Sequence, residues 1–336
     1  MAPLPCAELH LHIEGTLEPE LIFALAARNG IALPYADPAD LAARYAFTDL
    51  QSFLDLYYSN MDVLRSEQDF TDMTRAYLRR AAAAGVRHAE IMMDPQAHLA
   101  RGVSLATCVN GVAAALATSE ADVGISTSLI AAFLRDRPAE EALGVLRDLL
   151  AMDAPIIGIG LDSAELGYPP SLFREVYDVA RGAGLKCVAH AGEEGPPAYV
   201  WEALDLLAVD RIDHGIRCLE DDALVERLVE DQVPLTVCPL SNVRLRAVDA
   251  IGDHPLPEML ARGLNVSVHS DDPAYFGGYL DANVAALVDS CGLGVDDRAR
   301  LAANSARSAF VGEDRRRELL AEIEAWRVSA HSPCAG

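Results

Sequence analysis

"LNVSVHSDDP", residues 264–273, carries an apolar run into a histidine and then into two adjacent aspartates. Neighbouring carboxylates repel, and burying either one without a partner is costly. Taken alone, Asp-Asp-Pro reads as a solvated turn. The run before it, however, is the last of eight β-like runs. The others are "AELHLHI" (7–13), "VRHAEIMM" (86–93), "VGISTSLIA" (123–131), "PIIGIGL" (155–161), "KCVAHA" (186–191), "RIDHGI" (211–216) and "VPLTVCP" (233–239). Amphipathic stretches such as "SLFREVYDVARGAG" and "ALVERLVEDQ" lie between them, with apolar residues at helical spacing. Strands that alternate with helices predict parallel β–α units, and eight units predict a (β/α)8 TIM barrel. A doubly wound sheet is the alternative, and it leaves the number eight unexplained.

The interval between the first two runs is too long for a plain βα connection, so extra helices inserted after strand 1 are expected there. Within it, Phe53, Leu54, Tyr57 and Tyr58 fall at helix-like spacing. Such a stripe is ordinarily core, but an insertion after the first strand of a barrel also lies over the C-terminal face, where it could cap a pocket. No linker or compositional break divides the chain. One barrel domain is expected over residues 1–325, followed by a frayed tail at 326–336.

Composition narrows the class. Of 336 residues, 51% are hydrophobic and 23% charged, enough to bury a sizeable core. A formal net charge of −24 argues against nucleic-acid and anionic-membrane partners, both of which call for basic patches. No run approaches a membrane span, and the first residues do not resemble a signal peptide. The seven cysteines include no C-x-x-C pair and read as reduced thiols. A cytoplasmic location is expected. Association between copies is possible, but no surface marks it.

The polar residues on the eight runs are more telling. His10 and His12 end the first and share a face, His190 and Glu193 end the fifth, His214 lies on the sixth, and Asp271 and Asp272 follow the eighth. All lie at the strand ends where barrel active sites are built. Singly these are weak signals. Together they offer imidazoles and a carboxylate suited to zinc, with one aspartate free to face a substrate while its neighbour holds the ion.

"AELHLHIEGTLEPE", "HAGEEG", "RIDHG", "VCPLSN" and "SDDPAYFGG" resemble, in order and spacing, the adenosine and adenine deaminases of the amidohydrolase superfamily, from about residue 5 to about residue 312. That resemblance implies a (β/α)8 barrel and one Zn2+ held by His10, His12, His190 and Asp271. It implies Glu193 as the proton-shuttling acid, His214 as the histidine that orients and activates the attacking water, and Asp272 as the carboxylate that meets purine N7. "HLHIEG" replaces the H-x-H-L-D-G usual in adenosine deaminases. Glu14 would intrude where a ribose sits and could accept from N9–H of a free base, while Ser163 stands where adenosine deaminases have a purine-contacting glycine. The expected reaction is therefore hydrolytic deamination of a 6-aminopurine, most of all adenine to hypoxanthine and ammonia.

Adenosine, an N6-substituted adenine and aminodeoxyfutalosine are alternative substrates. The flexible Met92 and Met93 favour a roomier pocket if they approach the substrate. A purine-binding barrel without catalysis is the rival from another class. A two-metal phosphotriesterase or amidase is a third, and strand 4 offers no bridging Lys for it. His269 stands where the family has Asn, and is expected either to fill an interior layer or to retune the pocket. His88 and His98 read as structural or exposed, and "RDRP" (135–138) as solvated charge.

Overall fold

The computed structural model describes residues 3–332. Eight parallel strands pair in chain order: β1 (Cys6–Glu8), β2 (Val86–Met93), β3 (Ser126–Leu134), β4 (Ile156–Asp162), β5 (Lys186–Ala191), β6 (Arg211–His214), β7 (Pro234–Val237) and β8 (Asn265–Val268). Helices lie between successive strands, which makes the architecture a (β/α)8 barrel. Met92, Ile130, Ala132 and Val188 fill the interior of the barrel. A larger apolar layer packs between strands and helices.

The seam between β8 and β1 departs from a regular ladder. β1 is three residues long, not the seven expected, and the chain from Leu9 to His12 continues through isolated bridges, Leu11 with Asp271 and His12 with Met92. His12 N–H donates to Asp271 O, and Asp271 N–H to His10 O, both at 3.1 Å. Leu9 N–H instead meets the Nδ1 of His269 at 3.0 Å, while His269 Nε2 reaches Ser267 Oγ at 2.8 Å. His269 therefore supplies a side-chain acceptor where the ladder provides none, with both ring nitrogens occupied. Burial holds its pKa well below the usual value, in keeping with a neutral ring. On the β1 side, buried Glu8 accepts from Ser270 N–H and from the Tyr77 hydroxyl. The seam thus pins the residue that precedes Asp271.

The interval after β1 holds four helices, Pro19–Asn29, Pro38–Ala42, Leu50–Asn60 and Glu67–Ala84. Asp49 caps the third by accepting from Ser52 N–H at 2.8 Å. That helix lays Phe53 against Phe276 and Tyr57 against Tyr275, with ring centroids 4.6 and 5.6 Å apart, so it rests on the short helix Pro273–Phe276 that follows β8. The aromatic stripe is at once core and roof of the barrel mouth.

The third strand begins at Ser126, not at residue 123, because Ser119–Val123 is helical and Gly124 ends it in a left-handed conformation. The expected frayed tail at 326–336 is also revised. The last helix, Glu313–His331, runs through residues 326–331 and buries Trp326, over which Arg298 stacks. Residues 333–336 lie outside the described residues.

Candidate active site

Three strand ends bend sharply where function was expected. Ser163, His214 and Asp271 follow or end β4, β6 and β8 with φ of 70°, 64° and 61°. Left-handed backbone at non-glycine residues is uncommon and gathers at functional sites. At Asp271 the turn, and not strand alternation, separates the two aspartates, because β8 has ended at Val268.

His10 Nε2 lies 3.0 Å, and His12 Nε2 3.2 Å, from His190 Nε2. Asp271 Oδ1 is 3.5 Å from the Nε2 of both His10 and His12. Ligands at about 2.0–2.1 Å in a tetrahedral zinc site stand about 3.3 Å apart, so this spacing suits an ion at the centre. The opposite ring nitrogens face acceptors. His10 Nδ1 meets Thr236 O at 3.1 Å, His12 Nδ1 lies 3.4 Å from Asp162 Oδ2 and 3.7 Å from Asp94 Oδ1, and His190 Nδ1 lies 3.7 Å from Asp213 Oδ2. The bond to Thr236 O keeps the His10 proton on Nδ1, and the carboxylates near His12 and His190 favour the same tautomer, which turns the Nε2 lone pairs toward one another, as metal-binding histidines require. Burial and the neighbouring imidazoles hold His190 well below its usual pKa. Burial alone would raise Asp271, but the histidines around it hold it well below the usual carboxylate range.

His214 joins this cluster from the other side. Its Nε2 is 3.7 Å from Asp271 Oδ2 and 3.5 Å from Glu193 Oε2. A chain of hydrogen bonds sets its tautomer. Leu256 N–H donates to His254 Nδ1, so His254 Nε2–H donates to Asn242 Oδ1. The Asn242 amide nitrogen is thereby turned toward His214 Nδ1 at 3.2 Å and Glu193 Oε1 at 3.0 Å. Accepting at Nδ1 puts the His214 proton on Nε2, facing the cluster. Asn242 and His254 were not singled out from the sequence. "VCPLSN" marked the place of Asn242 without suggesting its work.

Glu193 is held by its backbone as well. The carboxylate of Glu165 accepts the N–H groups of all four residues 192–195, at 2.6, 3.1, 2.8 and 2.8 Å. Arg135, expected to be solvated, is fully buried and donates to His190 O at 2.7 Å. Burial, then the negative charge of Asp271, pushes the Glu193 carboxyl well above the ordinary range, as burial and Asp271 also do for Asp272.

A cavity opens on these groups. Its walls include His12, His190, Glu193, His214, Asp271, Asp272, Asp94, Asp162 and Ser163, roofed by Phe53, Leu54, Tyr57 and Tyr58. Met92 and Met93 are fully buried elsewhere, so the argument they offered for a roomier pocket falls. Glu14 is not a free side chain. It is fully buried, and its Oε1 accepts from His98 Nε2 at 2.6 Å and from Asp94 N–H at 3.2 Å. Next to it, Gly15 leaves no room for a side chain, since a Cβ there would stand 2.0 Å from Asp272 Oδ1 and 2.6 Å from its Cα. Gly15→Ala should displace Asp272 and lower kcat/KM by about 100-fold, the cost of an ångström-scale misplacement, with metal content unchanged. Steady-state kinetics beside metal analysis check this.

The family model described as adenosine deaminase matches residues 5–326. The chain belongs to the adenosine deaminase family. Within that family it is 60% identical to an adenine deaminase of Streptomyces coelicolor over 98% of each chain. The crystal structure of an adenine deaminase from Arthrobacter aurescens superposes with a TM-score of 0.96 at 69% identity, covering 96% of this chain and 99% of that one. A family relative at 29% identity, an amidohydrolase from Burkholderia ambifaria with bound Zn, gives a TM-score of 0.89 over 97% of this chain and 91% of its own. Buried His10, His190, His214 and Asp271 form a group that could hold a metal ion, and His12 with Asp94 and Asp162 forms a second one beside it. Among the described residues, no helix is long and apolar enough to cross a membrane.

Proposed function

We propose that this chain is a zinc-dependent adenine deaminase that converts adenine and water to hypoxanthine and ammonia. One observation carries the reading. Beside the metal cluster, Asp272 Oδ1, Asp162 Oδ1, the Tyr57 hydroxyl and Glu14 Oε2 are buried without a hydrogen-bond partner. Unpaired buried polar atoms are costly, so such a set suits a ligand rich in ring nitrogens and N–H groups. The adenine deaminases of Streptomyces coelicolor and Arthrobacter aurescens support the base, and the Zn-bound relative supports zinc.

His10, His12, His190 and Asp271 would hold one ion per chain. Bound there, zinc would acidify water from a pKa near 16 to about 7 and so make a nucleophile available at neutral pH. The rest falls to the protein. Glu193, kept protonated by burial, gives its proton to N1 and makes C6 electrophilic. Because Oε1 accepts from Asn242, the proton sits on Oε2. His214, with its proton on Nε2, orients the water and donates to the oxygen as charge develops at C6. It acts as a donor, not as a base: burial and the neighbouring His10 lower its pKa to about 3. Asp272, protonated in the same way, donates to N7. Glu193, ionised after the first transfer, takes a proton from the attacking water and passes it to the amine; as ammonia leaves and the C6 oxygen becomes a carbonyl, the second proton of the water returns to Glu193 and restores the acid. Ser163, at the rim beside Tyr58, contacts the base.

Ammonia release with adenine and with adenosine, compared as kcat/KM, tests the substrate. Adenine should be preferred by at least 100-fold; a preference for adenosine would overturn the assignment.

A further inference from the structure

Glu14 is fully buried beside residues that line the cavity. His12 precedes it by two positions, Gly15 beyond it packs on Asp272, and its Oε1 takes the N–H of Asp94. What holds its carboxyl is a side chain from a different element, the helix Pro95–Ala100 that follows β2. Arg101, which can only donate, meets His98 Nδ1 at 2.5 Å. Nδ1 must therefore accept, and the ring proton sits on Nε2, where it is donated to Glu14 Oε1 at 2.6 Å. His98 is itself fully buried, edge-on to Phe70 with centroids 4.7 Å apart, so the ring cannot turn away. Arg101 is anchored in turn by donating to Leu64 O at 3.2 Å. With Oε1 satisfied twice, Oε2 is the carboxylate oxygen of Glu14 left without a hydrogen-bond partner.

We propose that His98, locked by Arg101, is a positioning residue for base recognition: it aims Glu14 Oε2 at the N9–H edge of a free purine. A purine alkylated or glycosylated at N9 offers no hydrogen there and places carbon against the same oxygen. The inference rests on the reading of adenine as substrate. It adds that the preference for the free base is set at one remove, through residue 98.

The test compares adenine with 9-methyladenine, which differ only in the N9 substituent, in wild type, His98→Met and His98→Gln. Each protein is assayed for kcat/KM, metal content and the Kd of hypoxanthine. Wild type should prefer adenine strongly. His98→Met should lower kcat/KM for adenine by roughly 10- to 100-fold, the scale of a hydrogen bond to a charged group, and weaken hypoxanthine binding in parallel. 9-Methyladenine should change less than about threefold, so the preference collapses while metal content holds. His98→Gln, which can still donate, should restore most of the difference. Should the Met variant fail to fold, Arg101→Gln at the outer end of the same chain carries the comparison. A wild-type preference that survives His98→Met, or a parallel loss for both purines, overturns the role of His98 and leaves the substrate reading intact. A wild type with no preference for adenine overturns both.

Discussion

Glu193→Gln should lower kcat for adenine by roughly 100- to 10,000-fold, the usual contribution of a positioned general acid, while hypoxanthine binding and metal content stay near wild type. The geometry makes the substitution unusually clean. Asn242 donates to Oε1 of Glu193, so a glutamine will place its carbonyl there and its amide nitrogen at the Oε2 position. An amide nitrogen can hydrogen-bond to N1 but has no proton to transfer. The four backbone bonds from residues 192–195 to Glu165 do not depend on the Glu193 side chain, so the loop should keep its shape. The loss should fall on kcat, the mark of an interaction made in the transition state. A variant that keeps a tenth or more of wild-type kcat would refute the shuttle role. A variant that loses its metal would show that Glu193 supports the cluster instead.

The contrast between Glu193 and Glu165 shows what a sequence can and cannot carry. Glu193 is legible because it stands three residues after a strand-end histidine, inside a motif with few structural explanations. Glu165 lies in "GLDSAELG", where an acid in a loop looks ordinary, and its work appears only when four N–H groups from another βα unit close around it. Asn242 and His254 are hidden for the same reason. They act on Glu193 and His214 through partners far away in the chain, and no periodicity records that. The strands were legible from apolar runs, since residues 86–93 and 186–191 form β2 and β5 as expected. The seam was not. A regular first strand would carry His10 and His12 along the sheet, whereas the observed chain leaves the ladder so that both Nε2 atoms reach His190. His269, singled out as a departure, proves to mend the ladder where that happens. His98 was passed over because a lone histidine five residues beyond a strand has no visible partner; its partner is Glu14, brought to it by the barrel.

Removing the metal should abolish turnover, and the loss should be reversible. Three Nε2 lone pairs and Asp271 Oδ1 converge within 3.0 to 3.5 Å, with no donor among them when every Nδ1 keeps its proton. Without a cation, that convergence is repulsive. Either a ring is protonated, as buried His10 beside Asp213 and Asp271 favours, or the side chains spread. In both cases the cluster loses the geometry that Glu193 and His214 serve. Dialysis against a strong chelator should take ammonia release below about 1% of its starting value, since the ion supplies the acidified water and several kcal/mol of charge stabilisation. It should also lower Tm, because an ion that binds only the folded chain stabilises it by mass action. Stoichiometric Zn2+ should restore both, and a titration that plateaus at one ion per chain would match one ion shared by His10, His12, His190 and Asp271. Asp271→Ala removes the only anionic ligand and should not be rescued by the same addition. Full activity after verified removal of the metal would refute the proposed chemistry while leaving the fold untouched.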